Sequence, residues 1–158
     1  LGSALSLKAK NLSNIFLAEK NSLRHKILKK TVGINIFNPE DNLPIHLNSF
    51  DLVIDAVGFS ATREMASKFV SPGGVIVHIG LGDNLGGLDI RRLTLQEITF
   101  IGTYTYTPND FKETANAIFD GKLGPLDWFT TKPLDEGQKG FNDILNGNEP
   151  SPKIILKP

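Results

Sequence analysis

The chain contains no cysteine. It can therefore form no disulfide, hold no zinc through thiolates and use no cysteine nucleophile. Histidine is scarce too: His25, His46 and His78 stand 21 and 32 residues apart, which is no metal-ligand spacing. His78 lies inside an apolar stretch and reads as a satisfied core or face residue, whereas His25 and His46 read as surface residues. Charge of one sign is also lacking. Seventeen basic residues balance seventeen acidic ones, and no basic stripe or acidic tail appears, so neither nucleic acid nor an anionic membrane is an expected partner. The apolar runs, such as Gly74 to Leu81, are far too short to span a bilayer. No charged segment followed by an apolar block opens the sequence, so a cytoplasmic location is expected. Two catalytic signatures are missing as well. Gly121-Lys122 has no partner glycine five residues earlier to make a phosphate-binding loop, and no Gly-x-Ser-x-Gly nucleophile elbow occurs.

What remains is an ordinary globular composition, with 40% apolar and 22% charged residues in 158, enough for one domain with its own core. Helices are predicted over Ser3–Lys10, Ser22–Lys30, Ala61–Val70, Ile90–Gln96, Asn109–Asp120 and Leu134–Leu145. In Ser22–Lys30, Leu23, Ile27 and Leu28 share one face and the basic residues the other, and Gly33 ends the helix. Strands are predicted over Asn14–Glu19, Ile34–Phe37, Phe50–Val57, Val75–Leu81, Ile98–Tyr106, Trp128–Thr131 and Lys153–Leu156. Ser71-Pro72-Gly73-Gly74 is read as a tight turn, Gly82–Gly87 as a glycine-rich loop, and Glu40–Ser49 as a loop or poor helix.

Strands and helices alternate, and several strands are continuous apolar runs. That pattern belongs to the α/β class with a doubly wound parallel sheet and helices on both faces. Ligands of such sheets bind outside the carboxyl ends of the strands. Functional residues are therefore expected at Ala18–Lys20, Val57–Phe59, Gly80–Gly82 and Gly102–Thr105.

Several of these pieces resemble a known family. Leu17-Ala18-Glu19-Lys20 is followed by Arg24-His25-Lys26. Then come Asp51-Leu52-Val53-Ile54-Asp55-Ala56-Val57-Gly58, Gly73-Gly74-Val75-Ile76-Val77 and Gln96-Glu97-Ile98-Thr99-Phe100-Ile101-Gly102-Thr103. Pro133-Leu134 and Pro152-Lys153-Ile154-Ile155-Leu156 close the series. In this order they resemble the C-terminal, cofactor-binding half of the zinc-containing medium-chain alcohol and polyol dehydrogenases, in the sorbitol and threonine dehydrogenase-like branch.

The resemblance implies a Rossmann-type NAD(P)-binding domain over residues 1–158, truncated at its N-terminus. The first strand and the phosphate loop are then missing, as is the domain that carries the catalytic zinc and the substrate. Glu19, at the end of the second strand, is expected to accept hydrogen bonds from the adenosine ribose. A carboxylate there would repel the extra phosphate of NADP, so NAD is favoured, although Lys20 beside it could tolerate a phosphate. Gly2 stands where the last glycine of the Gly-x-Gly-x-x-Gly fingerprint falls. Leu1-Gly2-Ser3 reads equally well as the remnant of a cloning linker. Val57 and Gly58 are implied beside the adenosine and its ribose. Gly80, Leu81, Thr103, Tyr104 and Thr105 are implied at the nicotinamide carboxamide, through main-chain groups. Lys153 is implied near the pyrophosphate, or is simply a solvated lysine. No catalytic or metal-ligating residue is assigned within the chain.

In the strand order 3-2-1-4-5-6, the absent first strand would lie between Asn14–Glu19 and Phe50–Val57. An unbroken six-stranded sheet is therefore not expected from this chain alone. A homodimer is expected through the Ile98–Tyr106 strand. The implied activity is hydride transfer between a secondary alcohol or polyol and nicotinamide. One other reading stays open, a non-catalytic nucleotide-binding module or inactive fragment; a methyltransferase of similar topology is more remote, because the return strand at Lys153–Leu156 argues against it. The short-chain dehydrogenase signature Tyr-x-x-x-Lys is absent, since Pro108 and Asp110 stand four places after Tyr104 and Tyr106.

Overall fold

A computed structural model describes residues 1–41 and 46–158. In chain order the elements begin with α1 (Gly2–Ala9), β1 (Phe16–Ala18), α2 (Ser22–Val32) and β2 (Asn35–Phe37). β3 (Phe50–Asp55), α3 (Ser60–Phe69), β4 (Val70–His78), α4 (Ile90–Leu95) and β5 (Thr99–Gly102) follow. The chain closes with α5 (Pro108–Phe119), β6 (Phe129–Pro133), a single 3₁₀ turn (Leu134–Glu136), α6 (Gly137–Leu145) and β7 (Lys153–Lys157). Of the loop expected over Glu40–Ser49, residues 42–45 lie outside the described residues.

The chain divides into two compact units, Leu1–Leu43 with Pro108–Pro158, and Pro44–Thr107. In the first, β1 pairs in parallel with β2, and β6 in parallel with β7. Its core is Ala4, Leu5, Ile15 and Val32, with Leu1, Leu7, Ile34 and Leu123 packed against them. α2 starts where the Asn21 side chain accepts the Leu23 N–H, which satisfies one of the orphan donors of a helix start. It ends at Gly33, whose left-handed φ of 63° costs a residue without a Cβ little.

In the second unit the sheet order is β3-β4-β5, all parallel. Ile76 and Val70 are fully buried against Ala66 and Ile98, with Val53 and Leu93 beside them. Burying side chains of this size contributes about 1.5–3 kcal/mol each. The expected turn Ser71–Gly74 is real, but it is a bulge within β4 rather than a lead-in to it. The register moves from Phe50–Val70 to Leu52–Val75, so the extra residues loop out and the Gly73 N–H donates to the Gln96 carbonyl.

The parallel pairings match the 3-2 and 4-5-6 portions of the expected order. As expected with the first strand absent, no unbroken six-stranded sheet forms: the described residues make three separate sheets of two, three and two strands. Among them β1 has β2 as its only strand neighbour, and β3 has only β4. The last strand of the second unit is also shorter than Ile98–Tyr106. β5 stops at Gly102 because Thr105 turns to a left-handed φ of 58°, which an extended strand cannot accommodate. Leu134–Leu145 is divided between the 3₁₀ turn and α6, a common way for a helix to begin. No helix among the described residues is long and apolar enough to cross a membrane.

Candidate functional site

Each unit presents one group of the residues singled out above. In the first, Glu19 follows directly on β1, and its N–H donates to the Phe37 carbonyl, which extends the β1–β2 ladder by one step. Its carboxylate is held from two sides. Oε1 accepts the Asn21 N–H at 2.8 Å, and the Arg24 guanidinium lies 3.8 Å from Oε2. The side chain is still 22% exposed, so it keeps acceptor capacity for hydroxyl donors. His25 is half-buried and its Nε2–H donates to the Glu19 carbonyl at 2.7 Å, which corrects its reading as a surface residue. Lys20 points away into solvent and pairs with the exposed Glu40 at 2.6 Å. Gly2 is the first residue of α1, where a Cβ would meet nothing within 4 Å. Lys153 opens β7, exposed, opposite Phe129.

The second unit gathers its residues tightly. The loops after β3 and β4 cross each other at Gly58 and Gly80. A Cβ on Gly58 would lie 2.2 Å from the Gly80 carbonyl carbon, and one on Gly80 would lie 2.1 Å from that of Val57. Gly58 also has a φ of 80°. The Gly82 N–H donates to the Val57 carbonyl and the Asp83 N–H to that of Gly58. Val57 and Leu81 are held with 52% and 78% of their surface exposed, an apolar rim at the carboxyl ends of the strands. Thr103 continues the sheet edge through its N–H to the His78 carbonyl, while Tyr104 and Thr105 are exposed.

Beneath the crossing lies a polar network that the sequence did not single out. Asp55, buried at the end of β3, accepts the Val57 and Gly58 N–H groups on Oδ1 and the Thr62 hydroxyl on Oδ2. The Phe59 N–H in turn donates to the Thr62 oxygen. Arg63, on the first turn of α3, is buried and donates to Gly58, Asp83, Leu85 and Gly86. The Ser60 N–H on Asp83 and the guanidinium of Arg63 hold the Asp83 carboxyl below the usual aspartate range. An aspartate three residues before a strand-end glycine was the available signal for Asp55. An arginine on a helix gave none for Arg63. His78 is covered as expected, packing on Phe100 at 5.6 Å between ring centroids. It is not satisfied, however: its buried Nε2 has no hydrogen-bond partner and lies 3.6 Å from Asp55 Oδ2. Among the described residues no group of three or more histidines, cysteines or carboxylates is placed to hold a metal ion.

These features have counterparts in known proteins. The pattern of the family described as zinc-binding dehydrogenase matches residues 2–120. (R,R)-butanediol dehydrogenase of Saccharomyces cerevisiae is 28% identical over 170 residues, which cover 98% of this chain and 44% of that protein. Two solved structures share the fold. L-Idonate 5-dehydrogenase of Escherichia coli superposes with a TM-score of 0.82 at 18% identity, over 98% of this chain and 45% of its own. An alcohol dehydrogenase of Escherichia coli CFT073, solved with NADH, superposes with a TM-score of 0.81 at 17% identity, over 98% of this chain and 48% of its own. The chain thus spans about half the length of the relatives it matches. With a match over most of its residues and the parallel α/β architecture in place, the chain belongs to the zinc-binding dehydrogenase family.

Proposed function

We propose that residues 1–158 are the cofactor-binding part of an NAD-dependent alcohol or polyol dehydrogenase. The observation that carries this reading is Glu19. It is an acid at the end of β1, fixed by the Asn21 N–H and by Arg24, yet with part of its carboxylate still open. Two ribose hydroxyls would find acceptors there. NAD is the favoured dinucleotide because a second phosphate would meet that carboxylate, and because Lys20 is engaged with Glu40. The chain's residues fit such a group in the second unit too. Val57 and Leu81 offer exposed apolar surface beside Gly58 and Gly80, and the main chain of Thr103, Tyr104 and Thr105 lies at the same end of its sheet. Lys153 is assigned to the pyrophosphate, and Gly2 to the last glycine position of the dinucleotide fingerprint.

When bound, nicotinamide supplies the hydride acceptor for oxidation of a secondary alcohol. The chain's own part is to bind and orient it. The zinc, the substrate pocket, the first strand and the phosphate loop are assigned to residues outside 1–158. That assignment agrees with the edges of β1 and β3 that no described strand covers. The name of the butanediol dehydrogenase relative supports a vicinal diol as the substrate class. The protein is further proposed to form a homodimer by pairing β5 with its copy in a second molecule. β5 is an edge strand with Phe100 37% and Ile101 46% exposed, and such edges pair readily.

The test is a spectrophotometric assay of the full-length protein with NAD or NADP and a panel of secondary alcohols, diols and polyols. Reduction of NAD by at least one of them is expected. No turnover with either dinucleotide, across the panel and with zinc supplied, would overturn the reading.

A further inference from the structure

Arg63 has more hydrogen bonds than any helix surface position requires. Its side chain is 8% exposed, and every one of the five N–H groups of a guanidinium is spent. Nε donates to the Gly86 carbonyl at 2.7 Å. Nη1 donates to the carbonyls of Gly58 at 2.8 Å and Asp83 at 3.2 Å. Nη2 donates to the Leu85 carbonyl at 2.6 Å and to the Asp83 carboxylate. The acceptors come from both loops that cross at Gly58 and Gly80: Gly58 from the loop after β3, and the rest from the loop after β4. Asp83 completes the clasp through Oδ2, which accepts the Ser60 N–H at the start of α3 at 2.8 Å. Gly87 packs so closely under that start that a Cβ there would lie 2.1 Å from the Ser60 carbonyl oxygen.

A loop this rich in glycine, Gly82 to Gly87, has many conformations open to it when unrestrained. Arg63 selects one. The planar fork of the guanidinium sets the directions of its acceptors, which the three tetrahedral donors of a lysine could not match.

We propose that Arg63 is a positioning residue for the dinucleotide, one that fixes the Gly58 and Gly80–Leu81 main chains relative to each other. It touches no cofactor. It acts by holding the two loops in register, so that the groups facing the adenosine end and those facing the nicotinamide end are presented together. This rests on the cofactor reading above.

The experiment uses the full-length protein with Arg63→Ala, Arg63→Lys and Asp83→Asn. NADH binding is followed by nicotinamide fluorescence and turnover by steady-state kinetics. For Arg63→Ala the Kd for NADH and the KM for NAD are expected to rise about tenfold or more, the scale of one charge-assisted hydrogen bond. The KM for the alcohol should stay within about twofold, well under the scale of one such bond. Low concentrations of guanidinium or methylguanidinium should restore part of the affinity to Arg63→Ala and none to the wild type. Arg63→Lys should lie between wild type and Arg63→Ala. Asp83→Asn removes only one acceptor's charge and provides a folded variant if Arg63→Ala fails to fold. It should weaken NADH binding measurably.

Folded variants that bind NADH as tightly as the wild type would overturn the proposal, even if they melt earlier. So would a loss that guanidinium fails to restore in a folded Arg63→Ala protein. A wild type that binds no dinucleotide would overturn the cofactor reading, and this proposal with it. A wild type that binds normally beside unaffected variants would overturn this proposal alone.

Discussion

The main chains of Gly58 and Gly80 cross with no space for a side chain on either: a Cβ on each would lie 2.2 Å and 2.1 Å from backbone carbon of the other's loop. Two loops that follow neighbouring parallel strands are thus locked into one surface. Gly58→Ala is expected to destabilise the protein by more than about 1 kcal/mol through its positive φ alone, with the clash added to that. NADH affinity should fall in step. Thermal unfolding together with an NADH titration checks this, and a variant with unchanged Tm and unchanged affinity would show that the crossing is dispensable.

The Asp83 carboxyl supplies a pH dependence of known sign. Its folded-state pKa lies below the usual aspartate value, chiefly because of the Ser60 N–H and then Arg63. The stabilisation is therefore present in full above the unfolded value, about pH 4, and is lost as pH falls through the folded value. The Tm difference between wild type and Asp83→Asn should be constant from neutral pH down to about pH 5 and shrink below about pH 4, around the unfolded value. A difference that grew as the pH fell would contradict the pairing.

The β5 edge gives a separate prediction on assembly. Ile101 is exposed on β5, whose only strand neighbour among the described residues is β4. Ile101→Lys should convert a dimer of the full-length protein to monomer, since a lysine on such an edge disfavours pairing. Sedimentation velocity reads the outcome. A variant that stayed dimeric would place the interface elsewhere.

Much of the fold was legible because its signals are local. The amphipathic pattern of α2 and its Gly33 end, and the apolar runs of β3 and β4, all follow from residues close in sequence. Errors arose where a local signal was overridden. Thr103, Tyr104 and Thr105 have strand-forming side chains, but Thr105 turns left-handed, so β5 ends at Gly102. The lack of one continuous sheet was legible too, because the expected strand order includes a first strand beside Asn14–Glu19 and Phe50–Val57 that this sequence does not supply. At the candidate site, the carboxyl ends of β1, β3 and β4 were predictable from α/β architecture alone. Arg63 was not, since its five acceptors are four backbone carbonyls and one carboxylate brought together only by folding. The unsatisfied His78 Nε2 was equally hidden, because an imidazole in an apolar strand carries no mark of what faces it.

The central claim is that Glu19 reads the ribose of NAD. Isothermal titration calorimetry of the full-length protein with NAD and with NADP, for the wild type and for Glu19→Gln, tests it most directly. The wild type is expected to bind NAD at least about tenfold more tightly than NADP, as repulsion near 1.4 kcal/mol would produce. Glu19→Gln should lose most of that preference, chiefly by binding NADP better. Equal affinity for the two dinucleotides in the wild type, or a preference for NADP, would contradict the account.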